Sequence, residues 1–194
     1  ATQAEAKLFY LANHDSLTGL PNRAHFTDRI HNAIARMKRK QGKLALLFVD
    51  LDHFKIVNDT LGHVSGDIFL KEIANRLRNA SRLEESLARW GGDEFILLLE
   101  DITTVAEISL TIQRLLASLS QTIVIDGHEL SPSASIGVAI YPDNAGNTAD
   151  LIKYADTAMY RAKQRGRSSF EFYSSALADE LQQRFEVGHE LQRA

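Results

Sequence analysis

The sequence predicts a mixed α/β domain with a central β-sheet flanked by helices. Three observations carry that prediction. Apolar segments of strand length alternate with stretches whose apolar residues recur every three or four positions. Two glycine-containing turns join neighbouring strand-like segments. The chain has 194 residues, 44% of them hydrophobic and 24% charged, the balance of one ordinary globular domain with a sizeable core. Composition also narrows function. No apolar run approaches the roughly 18 residues of a membrane span, the densest being Leu44 to Val49. The lack of cysteine excludes disulfide scaffolds, thiolate zinc sites, iron–sulfur clusters and thiol nucleophiles, and fits a reducing compartment. Ala1 to Leu11 carries no signal-peptide pattern. A net charge of −3 gives no global attraction to nucleic acid.

Residues 1–13 place Ala4, Leu8 and Leu11 on one helical face and read as the end of an upstream linker helix. The segment Asp15-Ser16-Leu17-Thr18-Gly19-Leu20-Pro21-Asn22-Arg23 is turn-rich, and Pro21 suits the first turn of the next helix, where its missing N–H costs little. Phe26, Ile30, Ala33, Ile34 and Met37 give that helix its apolar stripe, with a stop near Gly42. Lys43 to Asp50 reads as a buried strand with acids Asp50 and Asp52 at its C-terminal end. A second helix is expected from Gly66-Asp67, because Phe69, Ile73 and Leu77 share a face and Asp67 suits a positive helix start. Ser86 to Trp90 and Glu94 to Glu100 form a hairpin through Gly91-Gly92-Asp93, since primed turns need positive φ at both central residues.

Val105, Ile108, Ile112, Leu115 and Leu119 mark a third helix. Thr122 to Leu130 reads as a smaller hairpin around Asp126-Gly127, and Ser133 to Tyr141 as a further strand. Leu151, Ile152, Ala155, Met159 and Ala162 give a fourth helix, and Ser169 to Tyr173 a last short strand. From Ala176 a polar helix with Leu177, Leu181, Phe185 and Leu191 leads off the end. The domain therefore occupies 14–174, between a linker helix at 1–13 and a connector at 175–194.

Four carboxylates at strand ends, Asp50, Asp52, Asp93 and Glu94, are expensive to desolvate together unless a cation or a proton neutralises them. Oxygen ligands without cysteine point to Mg²⁺ or Mn²⁺, ions that serve phosphoryl transfer. Gly91 and Gly92, lacking Cβ atoms, let a nucleotide approach the hairpin backbone. Asp52 reads equally as a supporting acid or as a loop residue. His53 and His63 flank the site without further histidine or cysteine at ligand spacing, and Trp90 suits core or cross-strand packing.

Arg89-Trp90-Gly91-Gly92-Asp93-Glu94-Phe95 resembles the signature of the GGDEF family, the diguanylate cyclases that join two GTP into cyclic di-GMP. It is accompanied in order by the Asp15–Arg23 segment, by Asp50-Leu51-Asp52-His53-Phe54-Lys55-Ile56-Val57-Asn58-Asp59, by Gly62-His63-Val64-Ser65-Gly66-Asp67, and by Ala155-Asp156-Thr157-Ala158-Met159-Tyr160-Arg161-Ala162-Lys163. The resemblance spans about residues 14–173 and implies the nucleotide-cyclase and polymerase palm fold.

The resemblance implies metal binding by Asp50, the Leu51 carbonyl, Asp93 and Glu94, and catalysis by Asp93, Glu94 and Lys55. It implies substrate binding by Phe54, Lys55, Asn58, Asp67, Gly91, Gly92, Lys163 and Arg167, with Asn58 and Asp67 on guanine and the cations on the triphosphate. A product-inhibition site is implied at Arg82 and Glu85, where Glu85 replaces the family's aspartate and its extra methylene is expected to weaken cyclic di-GMP binding. Since each domain holds one GTP, catalysis implies a two-fold homodimer. The expected setting is a cytoplasmic domain of a longer signalling protein, with sensory segments upstream and an EAL phosphodiesterase domain downstream. Two alternatives stay open: a catalytically silent GTP-binding domain that regulates the adjacent phosphodiesterase, or a cyclic di-GMP receptor.

Overall fold

A computed structural model describes residues 1–81 and 86–174, together with 183, 186–188 and 191–192. Its central strand, β1 (Leu44–Leu51), is buried along its whole length. A strand covered on both faces needs such an unbroken apolar run. β1 pairs antiparallel with β3 (Glu94–Leu99) on one side and β6 (Ala134–Tyr141) on the other. β2 (Leu87–Gly91) adds antiparallel to β3, and β7 (Phe170–Phe172) runs parallel to β6, giving the order β2-β3-β1-β6-β7. The mixed central sheet is the one expected. β4 (Ile123–Ile125) and β5 (His128–Leu130) form a separate ribbon, and its turn residues Asp126 and Gly127 both take positive φ, 51° and 76°.

The two-residue period of β1 divides the core. Ala45, Leu47, Val49 and Leu51 join the cluster built with α4 (His63–Ala80) and α5 (Val105–Leu119). Leu44, Leu46 and Phe48 join the cluster built with α2 (Arg23–Lys40) and α6 (Thr148–Gln164). Asp50 continues the second series, so strand geometry aims it at α6. Gly137, opposite Phe48, is what lets α6 sit that close. A Cβ there would lie 2.0 Å from the Ala155 carbonyl oxygen and 2.1 Å from the Met159 nitrogen.

Three local expectations are corrected. An additional helix, α3 (Phe54–Leu61), follows β1, and α4 starts at His63, so Asp67 sits in its second turn rather than at its positive end. Gly62, at φ 88°, divides the two helices, a break that apolar periodicity does not mark. Pro21 lies before the helix rather than in its first turn. The N-cap of α2 is Asn22, whose side-chain oxygen accepts from the His25 N–H at 3.0 Å, and Pro21 makes an isolated bridge with His14. At the glycine hairpin only Gly92 takes positive φ (46°), because a register shift after Arg89 keeps Gly91 in β2 opposite Glu94.

The first helix, α1 (Gln3–Asn13), starts with a Thr2–Glu5 capping box and buries none of its residues. Arg82, Glu85 and most of the expected connector lie outside the described residues. Among the described residues no helix is long and apolar enough to cross a membrane.

Candidate active site

Asp50, at the end of β1, stands directly opposite Glu94, the first residue of β3. Cross-strand partners have Cβ atoms roughly 4.5–5.5 Å apart, and like charges there repel. Asp50 is 7% exposed. Lys163, in the last turn of α6, brings its Nζ to 2.6 Å from Asp50 Oδ1, an ion pair. Burial pushes the Asp50 carboxyl above its ordinary pKa; Lys163 opposes the shift, and Asp93 and Asp52 add to it.

Burial also raises the Glu94 carboxyl, reinforced by Asp50, Asp156 and Asp93 and opposed by Lys163. Asp156, on α6, is raised by burial and held back by Lys163. It is the acid to which the sequence reading gave no role. Its signal was present, since Asp156 and Lys163 are two turns apart on one helical face. One ammonium thus faces several mutually repelling carboxylates. Among the described residues no three such groups form a ready metal cage. The donor chemistry nevertheless fits a hard divalent cation, because Asp50, Asp93 and Glu94 offer only oxygen and carry unneutralised charge.

The hairpin carrying Asp93 is held from two sides. The Asp93 carbonyl accepts from the Leu51 N–H at 3.1 Å, which ties it to β1. On the other side Arg89 donates from Nε and Nη2 to the Gly92 carbonyl (3.0 and 2.8 Å) and from Nη1 to both Asp15 oxygens (3.0 and 3.2 Å). Asp15 also accepts from the Thr18 amide at 2.8 Å and hydroxyl at 2.7 Å. Burial alone would raise the Asp15 carboxyl, but Thr18 and Arg89 together outweigh it and hold the pKa below the ordinary value. Trp90 meets Phe48 edge-on at 6.1 Å and lies under the Arg23 guanidinium at 4.6 Å, the packing role expected of it.

The guanine candidates meet at the α3–α4 junction. A Cβ on Gly66 would lie 1.8 Å from Asn58 Oδ1, so Gly66 alone leaves room for that amide beside Asp67. The Phe54 ring stacks on Phe69 at 5.9 Å and is anchored in the core, while Lys55, His53 and His63 are exposed. After α6 the backbone takes positive φ three times in succession, at Gly166 (111°), Arg167 (65°) and Ser168 (46°). Arg167 Nη1 lies 3.8 Å from Asp52 Oδ1. The structure therefore draws Asp50, Glu94 and Lys163 together, places Asp93 beside them on the hairpin, and sets Asn58 and Asp67 at the α3–α4 junction.

Comparison with known proteins agrees with this arrangement. Over 197 residues the chain is 42% identical to the bifunctional diguanylate cyclase/cyclic di-GMP phosphodiesterase MucR of Pseudomonas aeruginosa, covering 99% of this chain and 28% of MucR. It is 38% identical to the cyclic di-GMP phosphodiesterase NbdA of the same organism over 98% of this chain and 24% of NbdA. The chain thus spans about a quarter of each of these two relatives. A solved GGDEF domain of P. aeruginosa TpbB, also called YfiN, superposes with a TM-score of 0.82 at 42% identity, covering 87% of this chain and 99% of that one. The profile described as "Diguanylate cyclase, GGDEF domain" matches residues 12–169, and with that extent of agreement the chain belongs to the GGDEF family.

Proposed function

We propose that the domain is a diguanylate cyclase acting as a two-fold dimer in bacterial cyclic di-GMP signalling in the cytoplasm. The observation that carries this reading is the carboxylate cluster of Asp50, Asp93 and Glu94, with raised pKa values at Asp50 and Glu94 and Lys163 at its edge. Each GTP 3′-hydroxyl attacks the α-phosphorus of the GTP held by the partner. Two phosphodiester bonds form, two pyrophosphates leave, and each hydroxyl proton passes to a base. A bound Mg²⁺ or Mn²⁺ supplies Lewis-acid polarisation of the phosphate, with Asp50, the Leu51 carbonyl, Asp93 and Glu94 as its protein ligands. Lys55, Lys163 and Arg167 meet the triphosphate, Arg167 with the forked geometry that phosphate favours. Phe54, Gly91 and Gly92 shape the floor and mouth of the nucleotide site.

Asn58 and Asp67 are assigned to guanine. A carboxylate accepts from guanine N1–H and N2–H₂, whereas adenine presents an unprotonated N1. Asp67→Ala is expected to weaken GTP binding about 10-fold or more and to narrow the preference over ATP, because a charged hydrogen bond contributes roughly 1.5–3 kcal/mol. Equal losses for GTP and ATP in calorimetry count against the assignment.

The decisive experiment incubates the protein with GTP and Mg²⁺ and follows cyclic di-GMP and pyrophosphate, at concentrations spanning dimer formation. Product whose rate rises with dimerisation supports the cyclase. GTP binding without turnover would move the domain to the regulatory reading. That second reading draws on NbdA's name as a phosphodiesterase and on Lys163, which already occupies the Asp50 carboxylate.

A further inference from the structure

Asp52 lies two residues beyond Asp50, and its surroundings are unlike those of a solvated loop acid. Its side chain is fully buried. Oδ2 accepts from the Ser133 hydroxyl at 2.7 Å and from the Ser168 backbone N–H at 2.9 Å, and Oδ1 accepts from the Ser135 hydroxyl at 2.8 Å. The Asp52 N–H donates to the Ser133 carbonyl at 2.9 Å. Buried carboxylates persist when their lone pairs are met in this way.

One of these contacts reaches across 116 residues to the turn after α6. There Arg167 and Ser168 both hold left-handed backbone, which side-chain-bearing residues rarely adopt without an external tie. The Ser168 N–H bond to Asp52 is such a tie, and it leaves Arg167 Nη1 3.8 Å from Oδ1 with 40% of the arginine side chain exposed. At that distance the guanidinium is drawn by charge but keeps its five N–H donors for another anion.

We infer that Asp52 is a positioning residue: it fixes the Gly166–Ser168 turn and thereby aims Arg167 at the β- and γ-phosphates of the nucleotide. This rests on the GTP reading proposed above. Asp52 itself touches no substrate in this scheme. The sequence left it open between supporting acid and loop residue, and the bond to Ser168 decides between them.

The test measures GTP and GMP affinities in wild type, Asp52→Ala, Asp52→Asn, Arg167→Ala and the Asp52→Ala/Arg167→Ala double variant. If Arg167 meets the terminal phosphates, Arg167→Ala costs about 10-fold or more in GTP affinity and leaves GMP unchanged. Asp52→Ala is expected to reproduce that selective loss, Asp52→Asn to recover part of it, and the double variant to be no weaker than Arg167→Ala alone. Ser133→Ala, which removes a hydroxyl donor but keeps the Ser168 tie, is expected to lower the melting temperature without changing the GTP-to-GMP ratio.

Losses that multiply in the double variant, or equal losses for GTP and GMP in Asp52→Ala, overturn the inference. Should Asp52→Ala not fold, the comparison of Asp52→Asn with Ser133→Ala decides the matter by the same ratio. A wild type with no preference for GTP over GMP overturns the nucleotide reading itself, a result distinguishable from failure of the Asp52 variants against a discriminating wild type.

Discussion

Asp15 and Asp50 are both carboxylates withdrawn from water on opposite sides of one hairpin, yet their proton equilibria move in opposite directions. Asp15 is met by two groups of Thr18 and by a guanidinium, and its pKa falls. Burial pushes the Asp50 carboxyl up, its one ammonium offsets only part of that, and Asp93 and Asp52 add to the rise. The difference separates an acid that supports the fold from one kept at a cost to it. A satisfied carboxylate stabilises the charged form it carries, whereas an unsatisfied cluster persists where a ligand completes it. Arg89 connects the two regions, because the guanidinium that neutralises Asp15 also grips Gly92, next to Asp93.

The largest expected effect tests the cluster. Asp93→Ala removes one of the carboxylates proposed to hold the cation and, on that reading, is expected to cut cyclic di-GMP synthesis at least about 100-fold, since Lewis-acid stabilisation contributes several kcal/mol to a transition state. The fold is expected to survive, because a half-exposed turn residue contributes little packing; circular dichroism and thermal melting check that. Wild-type-like synthesis by a folded Asp93→Ala would break the comparison at its functional side.

Arg89→Ala tests the satisfied side. At pH 7 it is expected to destabilise the domain by about 1.5–3 kcal/mol, the range for hydrogen bonds to a charged group, and to reduce turnover less than Asp93→Ala does. The pH dependence has a definite sign. Asp15's folded pKa lies below its ordinary 3.8, so its contribution is fully present above that value and is lost as pH falls through the folded pKa. The gap between wild type and variant in urea unfolding is therefore expected to narrow in strong acid, down to the part that the Gly92 carbonyl bonds supply. A gap that stays constant down to that pH would show that Arg89 acts through Gly92 alone.

Most of this architecture was legible because it follows from patterning. The Leu44 to Val49 run reads as a buried strand and is one, and the stripes of α2, α5 and α6 contain most of their buried residues, with Val105, 56% exposed at the start of α5, as the exception. The site acids were legible because Asp50 and Glu94 fall at strand ends, where side chains leave the core. Other features depend on tertiary approach. Nothing in the neighbourhood of Gly137 in the sequence says that α6 rests on it, and nothing near Asp52 announces a bond to Ser168. The α3–α4 break was missed because one positive-φ glycine redirects the chain without disturbing the apolar period.

The smallest expected effect is the one that most sharpens the contrast. Glu94 is raised by burial and by Asp50, Asp156 and Asp93, so its charge opposes folding at neutral pH. Glu94→Gln removes that charge and keeps the shape, and is expected to stabilise the domain by about 0.5–1 kcal/mol at pH 7 while lowering synthesis, the usual exchange at a working site. The folded pKa lies above the ordinary 4.5, so as pH falls through it the wild type takes up a proton in the folded state first and gains stability. The advantage of Glu94→Gln should accordingly be greatest above the folded pKa and narrow as pH drops toward 4.5. Mg²⁺ at neutral pH should narrow it too, since a cation at the carboxylates removes the repulsion that the substitution relieves. Thermal melts across pH, with and without Mg²⁺, read both effects. A Glu94→Gln protein less stable than wild type at pH 7 without metal would place Glu94 with Asp15 among the satisfied carboxylates.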